Sequence, residues 1–327
     1  MNFRTEINIE KFPHQISHSD NILTIGSCFA ENIAEYFKFS RFNVFANPFG
    51  VLYNPISIYN SLKFVVNNHK FIESDLVFHQ SEWHSFYHHS DFSHHKKEII
   101  LENINSGIEK TLKFLQKTDV IIITFGTSFV YKHLENGIIV SNCHKIPQKE
   151  FAHFMLSLDE TVTNIKNIIE IVEQFNPKIR FILTVSPVRH WKNGANSNQL
   201  SKSNLLLAIN EVIKSKNNCF YFPSYEIIMD DLRDYRFYNS DLIHPNKIAT
   251  DHIWEKFSNS NFSNECLKSV NEVSKIILAK NHRVRNANSE EHQNFLKLMI
   301  TRINLLQQKY SFLNLDDDLS YFKSQIL

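Results

Sequence analysis

The stretch Ile22-Leu23-Thr24-Ile25-Gly26-Ser27 decides the predicted fold, because an apolar, β-branched run breaks there at a glycine and a serine. Such a run is typical of a buried strand, and Gly-Ser is typical of the tight turn that follows one. Residues 30–37 then carry apolar side chains at helical spacing. The order strand, turn, helix predicts the first unit of an α/β protein.

The same alternation of strands and helices continues to about residue 257. Residues 119–125 are the clearest further strand, because continuous β-branched runs belong to parallel sheets that helices cover on both faces. The other predicted strands are residues 42–46, 179–185 and 219–222, and the other predicted helices are residues 55–66, 159–175, 200–213 and 245–257. Five strands separated by helices predict a three-layer α/β/α sandwich around a five-stranded parallel sheet.

The sequence changes character after about residue 260. Residues 267–278 and 292–307 have the apolar spacing of amphipathic helices, and no strand pattern follows them. We therefore predict an α/β domain over residues 1–260 and a helical extension over residues 261–327. The sequence leaves open whether this extension packs on the sandwich, forms a dimer contact or is a loosely attached arm.

Composition argues against several classes of function. The chain has 35 Lys and Arg against 34 Asp and Glu, so no net field attracts nucleic acid or an anionic membrane. No apolar run approaches about 18 residues, and residues 1–10 lack the apolar stretch of a secretory signal. The four cysteines form no CxxC pair, so no disulfide framework is expected. We expect a cytoplasmic protein that binds neither nucleic acid nor membrane.

Ser27 is the candidate nucleophile. At a strand-to-helix turn, its hydroxyl would lie at the positive end of the following helix, where backbone N–H groups stabilise a developing oxyanion. The same position also favours serine as a simple helix cap. The neighbouring Cys28 is an alternative nucleophile, because a helix N-terminus lowers the pKa of a thiol.

A candidate base lies in the late segment Asp241-Leu242-Ile243-His244-Pro245. Asp241 would accept the imidazole N–H while His244 takes the serine proton, which is the logic of a catalytic triad. The alternative is structural: Asp241 would cap a helix that starts at Pro245, and His244 would be a surface residue.

The run Gly26-Ser27-Cys28-Phe29-Ala30 resembles the signature of the GSCFA family, which is grouped with the SGNH (GDSL-like) hydrolases. The resemblance extends to about Phe257 through ordered later segments. These are Asn47-Pro48-Phe49-Gly50, Thr124-Phe125-Gly126-Thr127-Ser128, Ser186-Pro187-Val188-Arg189-His190, Tyr221-Phe222-Pro223-Ser224-Tyr225-Glu226 and Asp230-Asp231-Leu232-Arg233-Asp234-Tyr235-Arg236. The resemblance implies a flavodoxin-like sandwich in which Ser27 is the nucleophile and Asp241 with His244 completes the triad.

The resemblance also implies an oxyanion hole, formed by the backbone N–H groups of Ser27 and Gly50 and by a third donor. Ser128 stands where SGNH enzymes usually carry an asparagine. A serine side chain is shorter than that of asparagine. Either Ser128 serves as the third donor, or Asn47 or Asn142 supplies it, or the oxyanion hole stabilises the negative charge less strongly.

Polar residues that follow the predicted strands are candidates for substrate binding, because ligands of open parallel sheets bind beyond the carboxyl ends of the strands. Arg189 and His190 would clamp a carboxylate, a phosphate or a sugar hydroxyl. Alternatively, Arg189 pairs with an acid such as Asp230 or Asp231. Asn47 and Thr127 lie in two further strand-end turns and are also predicted to contact the substrate.

A histidine-rich stretch precedes the third predicted strand. It contains six of the 17 histidines, interleaved with aromatic residues: His79, Trp83, His84, Phe86, Tyr87, His88, His89, Phe92, His94 and His95. We predict a loop over the mouth of the site, with Trp83 and His84 lining the substrate pocket. A metal site is the alternative, since imidazole suits zinc, but no cysteine or suitably spaced glutamate completes a ligand set. We predict no metal and no cofactor.

These features together predict a serine-dependent esterase that acts on a small-molecule or glycan ester, such as an O-acylated sugar, through an acyl-enzyme. If a sugar hydroxyl replaces water, the same chemistry makes an O-acyltransferase. A non-catalytic glycan-binding or ligand-binding protein with a decayed site is the rival hypothesis, because fold alone does not determine function.

Overall fold

The computed structural model of the protein describes residues 4–282 and 286–327. The strands in chain order are β1 (Asn21–Gly26), β2 (Asn43–Ala46), β3 (Val77–His79), β4 (Glu82–His84), β5 (Val120–Phe125), β6 (Phe129–His133), β7 (Ile139–Val140), β8 (Phe151–Met155), β9 (Arg180–Val185) and β10 (Cys219–Phe222). The helices are α1 (Cys28–Phe39), α2 (Pro55–Val66), α3 (Lys97–Leu115), α4 (Leu158–Phe175), α5 (Gly194–Ser215), α6 (Ser224–Glu226), α7 (Lys247–Asn261), α8 (Asn264–Lys280), α9 (Glu290–Lys309) and α10 (Asp316–Ser324).

The central sheet has five parallel strands in the order β2-β1-β5-β9-β10. Leu23 of β1 lies between Phe45 of β2 and Ile121 of β5, which fixes the register of the central strands. The chain runs outward in one direction from β1 to β2 and in the other from β5 to β10. The crevice between β1 and β5 is therefore the topological switch point, where open α/β sheets bind their ligands.

Helices cover both faces of this sheet, which confirms the predicted three-layer α/β/α sandwich. All six residues of β5 are buried, and alternate side chains enter opposite cores. Ile121 and Ile123 pack with α2, α3, α4 and α5, while Val120 and Ile122 pack with α1 and α7. Each fully buried aliphatic side chain contributes about 1.5–3 kcal/mol, so the continuous apolar run of β5 anchors the fold.

Five short strands and one long helix, α3, were not predicted. β3 and β4 form an antiparallel hairpin, and β6, β7 and β8 form a separate antiparallel sheet between β5 and α4. α3 precedes β5 and packs on the same face as α2. Strands of two to five residues carry too little alternation to be recognised in a sequence.

Three helices follow the sandwich, and two of them correspond to the predicted amphipathic segments. α8, α9 and α10 enclose an apolar cluster of their own that includes Val273, Ile303 and Phe322. Asp318 of α10 has a fully buried side chain that accepts hydrogen bonds from Arg41 and Lys280, which ties α10 to the loop after α1. Within the described ranges, no helix combines the length and the apolar character needed to cross a membrane.

Candidate active site

The turn after β1 requires a glycine. Gly26 has φ +140°, and a Cβ there would lie 2.1 Å from the carbonyl oxygen of Thr124 on β5. The N–H of Gly26 donates to Oδ1 of Asn47, 2.9 Å away. This close approach of β1 to β5 places the next residue, Ser27, at the carboxyl edge of the sheet.

Ser27 is the N-cap of α1, and its Oγ accepts a hydrogen bond from the N–H of Phe29 at 3.3 Å. Only 1% of the residue is exposed. It borders a narrow cleft of about 40 Å³, named here the Ser27 cleft. The lining residues are Ser27, Cys28, Tyr53, Gly126, Thr127, Ser186, Val188, Arg189 and His190. Turns after β1, β5 and β9 thus meet at one edge of the sheet.

A buried lysine holds two of these turns together. Nζ of Lys202 on α5 donates to the carbonyl oxygens of Gly126 at 2.8 Å and Ser186 at 2.7 Å. Burial lowers the pKa of Lys202 to about 7. The sequence analysis missed this role. The available signal was helical spacing, because Lys202 lies three and seven residues before the buried Leu205 and Ile209.

Asp241 and His244 form a local unit in the loop before α7. Nδ1 of His244 and Oδ2 of Asp241 are 2.6 Å apart, and Oδ1 accepts the N–H groups of Ile243 and His244. These backbone and imidazole hydrogen bonds lower the pKa of Asp241 to about 2. The sequence-predicted contact between Asp241 and His244 is therefore present. Both side chains are nearly half exposed, so this loop is far more open than the Ser27 cleft.

Ser27 and His244 are not in hydrogen-bond contact. In the described part of the chain, Oγ of Ser27 bonds only to Phe29, and Nε2 of His244 has no hydrogen-bond partner. His244 lines a separate groove of about 1030 Å³ between α1, α7 and α8. Cys28 borders both the Ser27 cleft and this groove, so the two openings are adjacent.

The structure does not assemble the predicted oxyanion hole. The N–H of Ser27 donates to Thr124 and that of Gly50 donates to Asn47, both to carbonyl oxygens. Ser128 is fully buried and bonds to Ser201 through its N–H and its hydroxyl. All three predicted donors are therefore engaged elsewhere, since a backbone N–H cannot serve a second strong acceptor at full strength.

The backbone N–H of Cys28 is a candidate donor at this turn that the sequence analysis did not name. It makes no hydrogen bond with any described residue, as expected for the first turn of a helix. Burial raises the pKa of the Cys28 thiol, with a further contribution from the carboxylate of Glu31. A neutral thiol is a weak nucleophile, so this environment does not favour the alternative in which Cys28 attacks.

The predicted substrate-binding residues fall into two groups. Thr127, Arg189 and His190 line the Ser27 cleft. Asn47 does not: its amide is used by Gly26 and Glu31, so its role here is to hold the turn. The alternative pairing of Arg189 with Asp230 or Asp231 is absent, because Arg189 instead donates to the carbonyl oxygen of Leu242.

Trp83 and His84 do not line the site, which corrects the prediction. Trp83 packs against the main apolar core. His84 is 6% exposed, bonds to Ser93 and His79, and stacks on His144. The hairpin of β3 and β4 turns these side chains inward, because aromatic and imidazole rings bury apolar surface effectively when their nitrogens find partners. Asn142 likewise bonds locally, to the N–H of His144.

The histidine-rich stretch is a packed part of the fold around His88. That residue is fully buried, lies against Phe49, Phe71 and Phe92, and bonds to Ser85. Residues 4–282 and 286–327 contain no group of three or more His, Cys, Asp or Glu side chains placed to hold a metal ion.

Comparison with known proteins shows the family. The GSCFA family profile matches residues 21–257, and the profile of the GSCFA C-terminal domain matches residues 273–327. The chain therefore belongs to the GSCFA family. None of the curated proteins compared with the chain matches it. One solved structure, described as "a putative platelet activating factor from Streptococcus pneumonia", is similar at 12% identity and a TM-score of 0.37, over 76% of this chain and 85% of that one.

Proposed function

We propose that this GSCFA protein is a serine-dependent esterase or acyltransferase of the SGNH type, with Ser27 as nucleophile, His244 as base and Asp241 as its orienting carboxylate. One observation carries the proposal. The 2.6 Å contact between Asp241 and His244 fixes one imidazole nitrogen and leaves Nε2 unbonded, in a groove adjacent to the Ser27 cleft.

The proposed reaction starts with proton transfer from Ser27 Oγ to Nε2 of His244 as Oγ attacks the ester carbonyl carbon. The tetrahedral intermediate then collapses, the bond to the leaving alkoxide breaks, and His244 returns the proton to that oxygen. Because the pKa of Asp241 is lowered to about 2, its carboxylate stays ionised near neutral pH and stabilises the imidazolium that forms.

The N–H of Cys28 is the proposed oxyanion donor. It is unbonded, begins α1, and belongs to a residue that borders the Ser27 cleft. The positive end of the helix adds to its effect, since partial charges at a helix N-terminus favour a developing anion. This donor replaces the amides of Ser27 and Gly50, which are committed to carbonyl oxygens.

Ser27 and His244 must approach for the reaction to occur, and the loop of Asp241 is the part that moves in our proposal. Hydrogen bonds of catalytic groups are often long without substrate and tighten in the complex. Leu242, between the two catalytic residues, has φ +59°, a conformation that costs a leucine energy. Relief of this strain would offset part of the cost of moving the loop.

Resolution of the acyl-enzyme decides between the two activities. Water yields an esterase, and a sugar hydroxyl yields an O-acyltransferase. The open groove beside His244, with polar side chains from α1 and α7, supports an acceptor that is larger than water. The rival, a ligand-binding protein without catalysis, is favoured by the missing contact between Ser27 and His244.

The test is a burst experiment with 4-nitrophenyl acetate. We expect an initial release of 4-nitrophenolate equal to the concentration of protein, because an acyl-enzyme forms faster than it is resolved. Adding a sugar alcohol should divert the acetyl group into an ester product if the protein is an acyltransferase. A folded protein that shows neither a burst nor turnover would support the ligand-binding alternative.

A further inference from the structure

A second cleft lies next to the Ser27 cleft, behind Arg189. Its volume is about 220 Å³, and Arg189 borders both openings. Besides Arg189 it is lined by Ile228, Met229, Arg233, Asp234, Tyr235 and Tyr238, and it is named here the arginine cleft. It offers two guanidinium groups and apolar surface beside the cleft that Ser27 borders.

The two arginines of this cleft differ from the others in the described part of the chain. Five described arginines form ion pairs with carboxylates: Arg4, Arg41, Arg180, Arg236 and Arg302. Arg189 and Arg233 form none within residues 4–282 and 286–327, and both border the arginine cleft. Unpaired guanidinium groups that share one cleft are suited to an anion, because a planar fork of donors matches a carboxylate or a phosphate.

Three contacts hold the side chain of Arg189 in place. Its guanidinium lies 5.2 Å from the ring centres of both Trp191 and Tyr238, and Nη2 donates to the carbonyl oxygen of Leu242 at 2.8 Å. Nε is buried without a partner, so the N–H groups of Nη1 and the second N–H of Nη2 are left for a ligand. Because the side chain is already ordered, binding an anion costs little additional conformational entropy.

The one carboxylate of the cleft does not cancel this charge. Asp234 pairs with Arg236 at 2.9 Å and also accepts the N–H of Arg236. These contacts lower the pKa of Asp234, so it is ionised but already compensated. The arginine cleft therefore keeps the positive charge of Arg189 and Arg233.

We propose that the arginine cleft is a subsite for an oxyanionic substituent, a carboxylate or a phosphate, on the ester that Ser27 attacks. The proposal rests on the function proposed above and specifies its substrate class. Arg189 also donates to the carbonyl oxygen of Leu242, which lies between Asp241 and His244. An anion bound to Arg189 would therefore influence the position of the loop that carries the proposed base.

The kinetic test compares two esters with one leaving group, mono(4-nitrophenyl) glutarate and 4-nitrophenyl pentanoate. We expect the wild type to prefer the glutarate ester in kcat/KM, and Arg233→Gln to lower that preference about 10-fold, the typical value of a charged hydrogen bond. Arg302→Gln is the matched control, since it removes the same charge from α9, outside the arginine cleft. An unchanged preference in Arg233→Gln would overturn the proposal.

A binding measurement separates failure of the subsite from failure of catalysis. Calorimetric titration of Ser27→Ala protein with glutarate and with inorganic phosphate shows which oxyanion binds. We expect the better ligand to bind about 10-fold more weakly after Arg233→Gln, with no change after Arg302→Gln. If this holds but neither ester is cleaved by the wild type, the subsite stands and the proposed catalysis falls. If neither anion binds, or both bind equally to all three proteins, the subsite is refuted.

Discussion

The two halves of the proposed active site are held in different ways. Ser27 is buried, capped to α1 and placed by a glycine turn that fits against β5. Asp241 and His244 are nearly half exposed and depend on hydrogen bonds within their own loop. The proposed nucleophile is therefore held by the fold, whereas the proposed base belongs to a surface loop.

The largest loss of activity is expected from a substitution in the buried half, at Ser27. Ser27→Ala should lower the rate of ester cleavage by about 10³-fold or more, because the attacking oxygen is removed. Cys28→Ala is the control, since it keeps the backbone N–H and removes only the thiol, and its rate should stay within a few-fold of the wild type. Initial rates with 4-nitrophenyl acetate measure both. Loss of activity in Cys28→Ala with retention in Ser27→Ala would exchange the roles of these neighbours.

Substitutions in the exposed half should lower the rate of ester cleavage by a comparable but smaller factor. His244→Ala should lower kcat by about 10³-fold, while the protein stays folded because the loop is on the surface. Asp241→Asn should also lower kcat, because an amide no longer fixes the imidazole with a negative charge. Steady-state kinetics with circular dichroism as a folding check provides the measurement. Wild-type kcat in His244→Ala would show that the loop is only structural.

The turn that holds the buried half can be weakened without touching Ser27. Asn47→Ala removes the acceptor for the buried N–H of Gly26, which should lower the free energy of unfolding by about 1–3 kcal/mol. Asn68→Ala is a matched control: both asparagines have positive φ values, 39° and 47°, but Asn68 is exposed. Urea unfolding should show a larger loss for Asn47→Ala. Equal losses would mean that only the backbone conformation matters.

The histidine-rich stretch should influence stability through pH. Burial lowers the pKa of His88 from 6.5 to about 3. Between these two pH values, the histidine is protonated in the unfolded chain but not in the folded chain. Stability should therefore fall as the pH falls, by about 2 kcal/mol for His88 between pH 6.5 and 5. In urea unfolding, His88→Leu should remove this loss of stability at low pH. His95→Leu, a substitution of an exposed histidine, should leave the loss unchanged. The same pH dependence in all three proteins would contradict this burial effect.

Much of the fold could be predicted because its signals are local. The runs at residues 22–25 and 120–125 are buried and consist of apolar side chains with one threonine each, a pattern typical of parallel strands that helices cover on both faces. The contact between Asp241 and His244 was also predictable, since the two residues are three positions apart in one loop. The match of the GSCFA profile to residues 21–257 agrees with the resemblance seen in the sequence.

Other parts of the site depend on geometry that residue types do not encode. Whether the N–H of Ser27 or Gly50 is free depends on which carbonyl oxygen the turn brings near, and both proved to be engaged. Trp83 and His84 have the chemistry of a ligand pocket, but the direction of a short hairpin turned them into the protein. Arg189 and Arg233 are 44 positions apart in the printed sequence, so only the folded chain reveals their common cleft.

The most direct test of the central claim is labelling with an alkyl fluorophosphonate, followed by mass spectrometry of the adduct. If Ser27 and His244 act as one site, the wild type should carry a single adduct, on Ser27. His244→Ala should react much more slowly, because the base activates the serine. An adduct on Cys28, no adduct in folded protein, or equal labelling rates with and without His244 would contradict the account.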